Sequence, residues 1–249
     1  MPVQDDERER ELARVFNLHW DPDHQRGGGD AELVININGQ SYQFEVEVKS
    51  TTGFSVSTAR DVGMEHIRKW RSKLFVIGFY SKARRPELLR CLCLTPADME
   101  PWIAKIEDKI GIDFGLAKRA SGKLGLDDLF EICGKHKTYT LKDAKRLHKQ
   151  QWSVEKYKAE RDVQVGGEKK YSQTKMLEIL QLRAKYIAER GATLNNPHIT
   201  KTHLAKFTGT ERELHGPNWA ADIRKIAEDF VRSNPGHPAT IALPVSAGV

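Results

Sequence analysis

Three residues of this chain are spaced for metal-assisted phosphoryl chemistry. They are Asp30, Glu47 and Lys49, in the segment DAELVININGQSYQFEVEVKS. Asn38-Gly39 is the strongest short hairpin signal in it, because both residues tolerate the positive φ of a type I′ turn. With that turn, Ile37 pairs with Gln40. Leu33 then falls opposite Phe44, Ile35 opposite Tyr42 and Ala31 opposite Val46, an unbroken apolar face. On the other face Asp30 stands opposite Glu47, their Cβ atoms roughly 5 Å apart. Lys49 follows on the same side, about 7 Å along the strand. Glu32 also faces Glu45, and four carboxylates on one face repel unless water screens them or a cation neutralises them. The polar side of an antiparallel hairpin is commonly solvated. Converging carboxylates with a lysine are also what a magnesium-dependent phosphodiesterase needs. Glu-x-Lys recurs at 107–109 and 168–170, but only the copy at 47–49 has an aspartate in register upstream.

The elements around this hairpin set its context. Residues 5–16 read as an amphipathic helix with Leu12, Val15 and Phe16 on one side. Residues 20–30 are a turn-rich connection containing Gly27-Gly28-Gly29. After Lys49 the pattern gives a loop, a helix near 58–71, and apolar strands at 74–80 and 88–94. Thr95 then caps a helix with Pro96 at its first position, carrying Met99, Trp102, Ile103 and Ile106 on one side. The expected fold is α/β, a mixed central sheet flanked by helices.

This order, with Asp30 and then Glu47-Val48-Lys49, resembles the PD-(D/E)XK nuclease superfamily and, within it, the type II restriction endonucleases, over roughly residues 5–110. Gly29 stands where the family's name has proline. The resemblance implies a restriction-endonuclease-like core and a Mg²⁺-dependent, sequence-specific endonuclease acting on double-stranded DNA. Asp30, Glu47 and the backbone carbonyl of Val48 would hold one or two Mg²⁺ ions. Lys49 would hold or help deprotonate the attacking water, leaving 5′-phosphate and 3′-hydroxyl ends. A helix before the motif aspartate often carries a further glutamate, here Glu11 or Glu7. A homodimer reading a short palindrome is also implied. Base-reading candidates are Arg60 and Arg68 in the first half, and Asn195, Asn196, Arg212 and Asn218 in the second.

Composition limits the alternatives. The 249 residues are 39% hydrophobic and 30% charged, so a sizeable core is possible and a membrane protein is not expected. No apolar run reaches the roughly 20 residues of a spanning helix, and no signal peptide is visible. Cys91, Cys93 and Cys133 form no CxxC pair, which fits a reducing cytoplasm. The net charge is +6, and residues 135–161 alone hold nine Lys or Arg against three acids. Tyr139, Trp152 and Tyr157 are interleaved with that stripe, which would attract phosphate backbones.

The second half reads as helical at 126–133, 140–160, 173–190, 200–207 and 218–231, with Met176, Ile179, Leu180 and Leu182 or Ile187 facing inward in the third of these. The last three have the order of a helix-turn-helix or winged-helix unit. The expected divisions are therefore a catalytic core at 1–133, a basic connector at 134–170, a helical DNA-binding region at 171–235 and a flexible tail at 236–249. No HExxH, zinc-spaced Cys/His cluster or Walker loop is present. Two rivals share these features: a repair, junction-resolving or mobile-element nuclease, and a non-catalytic basic DNA-binding regulator.

Overall fold

The computed structural model describes residues 4–20 and 30–244. The glycine-rich connection before Asp30 and the last five residues lie outside them. Along the chain the elements begin with α1 (Gln4–Val15), β1 (Ala31–Ile37), β2 (Gln40–Thr51), α2 (Met64–Trp70), β3 (Lys73–Tyr80), β4 (Leu88–Leu94) and α3 (Pro96–Ser121). There follow α4 (Leu126–Cys133), α5 (Leu141–Leu147), α6 (Val154–Ala159), β5 (Val163–Val165), β6 (Glu168–Lys170) and α7 (Gln173–Ala192). The chain ends with α8 (Lys201–Leu204), β7 (Glu213–Leu214), α9 (Trp219–Ser233) and β8 (Ile241–Ala242). No helix among the described residues is long and apolar enough to cross a membrane.

Two compact units divide the chain: residues 1–108 together with 194–249, and residues 109–193. These are not the divisions expected at 133 and 170. The first unit is a mixed sheet of order β1-β2-β3-β4-β7, with β8 added to β2. β1 and β2 are antiparallel in the register read from the sequence, from Ile37 against Gln40 to Ala31 against Val46. Asn38 and Gly39 make the turn with φ of 52° and 85°. β2 then runs parallel to β3, and β3 antiparallel to β4.

Alternation gives the sheet two different faces. Leu33, Phe44, Val46, Val48, Leu74 and Val76 form one core with Leu12 and Phe16 of α1 and with Ile223, Ile226 and Phe230 of α9. Gly78 lets α1 approach this face, since a Cβ there would lie 2.8 Å from the Leu12 methyls. Phe75, Ile77 and Phe79 alternate to the other side. On that side Trp70 of α2 stacks on Trp102 of α3, ring centroids 5.1 Å apart.

Three expectations about the second half are corrected. The helices of the expected helix-turn-helix at 171–235 do not form one module. α7 belongs to the unit of residues 109–193, while α9 buries its apolar side in the sheet core. The expected flexible tail is docked as far as residue 244. β8 pairs with Tyr42 and Gln43, and Gln40 Nε2 donates to the Leu243 carbonyl at 2.7 Å. Met176, Ile179 and Leu180 face inward on α7 as expected, but Leu182 and Ile187 are both exposed.

Two expected helices are also shorter. Residues 52–63 form an irregular loop tied down by bridges from Val56 to Ile199 and Val62 to Leu194, so α2 begins only at Met64. Left-handed Lys149 and Gln150, with φ of 50° and 55°, break 140–160 into α5 and α6.

His203 of α8 is buried against Phe207, and burial together with Lys206 and Lys105 lowers its pKa from 6.5 to about 4. An unfolded histidine still titrates near its ordinary value, so the unfolded chain binds the extra proton first as pH falls. The resulting stability is complete above pH 6.5 and is lost on acidification to about pH 4, amounting to roughly 3 kcal/mol. Urea melts of the wild type at successive pH values should show this slope. His203→Leu should flatten it; an unchanged slope would contradict the assignment.

Candidate active site

The hairpin positions the site by its own geometry. Asp30 immediately precedes β1, and the register delivers it to the end of β2 that carries Glu47 and Lys49. Its Oδ2 accepts from the Val48 backbone N–H at 2.9 Å and from Lys49 Nζ at 2.8 Å. Lys49 also reaches Glu47 Oε1 at 3.0 Å and donates to the Val48 carbonyl at 2.8 Å. Two carboxylate oxygens and one carbonyl oxygen therefore converge on a single cation, the lysine's own ammonium.

Beyond the hairpin, Lys73 at the start of β3 completes the cluster. Its Nζ lies 2.8 Å from Glu47 Oε2, and the residue is 3% exposed. Glu47 thus bridges two lysines, one on each oxygen. Lys49 and Lys73 thereby offset the repulsion between Asp30 and Glu47. From α1, Glu9 comes to 3.9 Å from Lys49 Nζ, while Glu11 accepts a hydrogen bond from the Tyr80 hydroxyl at 3.0 Å. Of the α1 glutamates it is Glu9, not the expected Glu11 or Glu7, that pairs with Lys49.

The electrostatics follow from this packing. Burial alone would raise the Glu47 carboxyl, but Lys49 and Lys73 outweigh it and bring it down to about 2. Burial likewise opposes the charge on Lys49, yet Glu47, Asp30 and Glu9 hold its pKa above the ordinary lysine value. Lys49 is therefore an ammonium ion in this arrangement, suited to neutralise and orient, not to abstract a proton.

An open cleft of about 560 Å³ lies against the cluster, lined by Asp30, Glu47, Lys49, His66, Trp70 and Lys73 among others. His66 of α2 accepts from the Gly63 N–H at 3.4 Å. Partial burial, with Lys69 nearby, lowers its pKa, which favours the neutral ring. Among the described residues no three His, Cys, Asp or Glu side chains gather in a metal-binding group. A cation here would take Asp30, Glu47 and the Val48 carbonyl. This all-oxygen set suits a hard ion such as Mg²⁺.

The base-reading candidates fare differently. Arg60 is exposed in the loop before α2, and Arg68 is exposed on α2. Asn195 and Asn218 are exposed as well. Asn196, by contrast, takes a left-handed φ of 52° and accepts from the Thr58 N–H at 3.0 Å, so it clamps two loops together. Arg212 donates to Asp98 at 2.7 Å and ties the β7 segment to the start of α3. Both side chains are thus engaged within the protein.

Lys73, Glu9 and His66 were not among the residues expected from sequence. Lys73 had a usable signal: it sits directly before an apolar strand, at the position whose side chain shares a face with Phe75 and Ile77. Against known proteins, no family model, curated protein or solved structure gives a match.

Proposed function

We propose that this protein is a Mg²⁺-dependent endonuclease of double-stranded DNA, with Asp30, Glu47 and Lys49 as its catalytic set. The supporting observation is the convergence of Asp30 Oδ2, Glu47 Oε1 and the Val48 carbonyl on one positive charge beside an open cleft. When bound, Mg²⁺ would lower the pKa of a coordinated water and stabilise charge on the scissile phosphate.

The chain's own residues supply the rest. Lys73 fixes Oε2 of Glu47, leaving Oε1 directed to the cation. The Val48 N–H orients Asp30 in the same way. Lys49 would leave the oxygen cluster as the metal enters, then hold the attacking water and offset negative charge on the phosphate. Sequence-specific cutting by a homodimer, as in type II restriction enzymes, is the form of this activity that the motif resemblance favours.

The test is direct. Purified protein is incubated with supercoiled plasmid and Mg²⁺ or Mn²⁺, and the ends are sequenced. Discrete linear fragments with 5′-phosphate and 3′-hydroxyl ends are expected. A preference for branched substrates would move the protein to a junction-resolving role. DNA binding with no nicking under either metal would leave a non-catalytic regulator.

A further inference from the structure

Residues 109–193 carry their own core, and its architecture differs from the basic connector read from the sequence. Tyr139 and Tyr157, interleaved in sequence with the basic residues, are 1% and 0% exposed. Together with Leu129, Ala144, Tyr171, Met176 and Ile179 they hold the unit together. Tyr139 pairs with Tyr171 through two backbone hydrogen bonds of 2.9 Å, an isolated antiparallel bridge beside the end of β6. The order from residue 126 to 171 is thus helix, the bridging residue Tyr139, helix, turn, helix and a two-stranded hairpin whose end closes back on Tyr139. The left-handed pair Lys149 and Gln150 makes the turn between α5 and α6, and Gly166-Gly167, with φ of 59° and 82°, forms the hairpin tip. This is the topology of a winged helix-turn-helix.

The pinning of α6 determines which of its residues face outward. Tyr157 is fixed inside: its hydroxyl contacts His148 Nδ1 at 3.1 Å, and its carbonyl accepts a short hydrogen bond from the Tyr171 hydroxyl. Val154, Glu155, Lys156, Lys158 and Ala159 are consequently exposed. A groove of about 500 Å³ opens between the start of α5 and the β5–β6 hairpin. Lys142, Arg161, Lys169 and Lys170 line it against one carboxylate, Glu168. The stretch that builds α5 and α6 is also basic, with nine Lys or Arg against three acids over residues 135–161, and a basic surface of this kind attracts phosphate backbones.

We propose that residues 126–171 are a winged-helix reader that sets α6 against duplex DNA, while Lys142, Lys169 and Lys170 hold the phosphate backbone. The choice of DNA as partner rests on the nuclease reading of the Asp30–Glu47–Lys49 site; the topology and charge of the reader do not. Each neutralised phosphate contributes about 0.9 to the slope of log affinity against log salt.

The experiment uses the full chain. Fluorescence anisotropy with a labelled duplex is measured in EDTA over a salt series, for the wild type, for Lys156→Ala/Lys158→Ala and for Lys142→Ala/Lys169→Ala. Circular dichroism melts control for folding. Each double variant is expected to bind about tenfold more weakly near 0.1 M salt, with a slope shallower by about 1.8. Unchanged affinity and slope in both variants would overturn the proposal, as would failure of the wild type to bind duplex DNA or a preference for single strands or RNA. The readout separates the two ideas. Lysine-dependent binding without Mg²⁺-dependent nicking keeps the reader and removes the nuclease, and nicking with unaltered binding in both variants does the reverse.

Discussion

If the proposed activity holds, Lys49→Ala is expected to lower plasmid cleavage by about 10³-fold, the scale of a lost catalytic contact, and at the same time to tighten divalent-ion binding. Both effects come from one geometry. The Lys49 ammonium lies 2.8 to 3.0 Å from Asp30 Oδ2, Glu47 Oε1 and the Val48 carbonyl. It therefore competes with any cation for those oxygens. Removing it leaves two carboxylates without their shared counter-charge, so the metal-free protein loses stability and the metal-bound protein gains by comparison. Titrating Mn²⁺ against melting temperature reports this linkage, and single-turnover cleavage reports the catalytic loss. Duplex binding in EDTA should be spared. Full cleavage by the variant would remove Lys49, and with it the proposed mechanism. Unchanged metal affinity would show that the ammonium does not share the metal's position.

A larger stability effect is expected at Lys73. Lys73→Met leaves Glu47 buried with Oε2 unpaired, the situation in which breaking a buried pair costs about 3 to 5 kcal/mol. Lys49 cannot compensate, because it already holds the other oxygen. The pH dependence should move as well. In the wild type Glu47 titrates at about 2, against an ordinary 4.5. Its depressed pKa gives stability that is present above pH 4.5 and is lost as pH falls toward 2. Without Lys73 the carboxyl titrates higher, so the benefit shrinks and the loss begins at higher pH. Urea melts from pH 7 to pH 3 measure both changes. Adding Glu47→Leu to the variant should recover much of the loss, since two apolar groups replace a broken pair. A Lys73→Met protein as stable as the wild type would show that the pair carries no weight.

What was legible in the sequence was local. Asn38-Gly39 fixed a two-residue turn, and strict alternation on both sides fixed the register, so the meeting of Asp30 with Glu47 followed from short-range rules. Lys73 and Glu9 were not legible in that way. Lys73 reaches Glu47 only because β2 and β3 run parallel, and the register of a parallel pair is set by its crossover, not by a turn. Glu9 depends on how α1 docks, which rests on Leu12 packing over Gly78. The second half misled for a related reason. Its basic residues were visible, but nothing in their spacing said that Tyr139 and Tyr157 point inward, or that α7 and α9 serve different cores. Asn196 and Arg212 have the chemistry of base readers, yet they are engaged by Thr58 and Asp98, partners more than a hundred residues away in sequence.

The docking of β8 also bears on biosynthesis. β8 covers the edge of β2 next to its turn, and the hydrogen bond between Gln40 and Leu243 joins residues 203 apart. On the ribosome, the strand that carries Glu47 and Lys49 must therefore wait for about two hundred further residues to emerge before β8 arrives. Pairings this distant close late and slow folding. Until then the open strand edge is a place where nascent copies could pair with one another, and a chaperone shielding that edge during translation would favour the native pairing with β8.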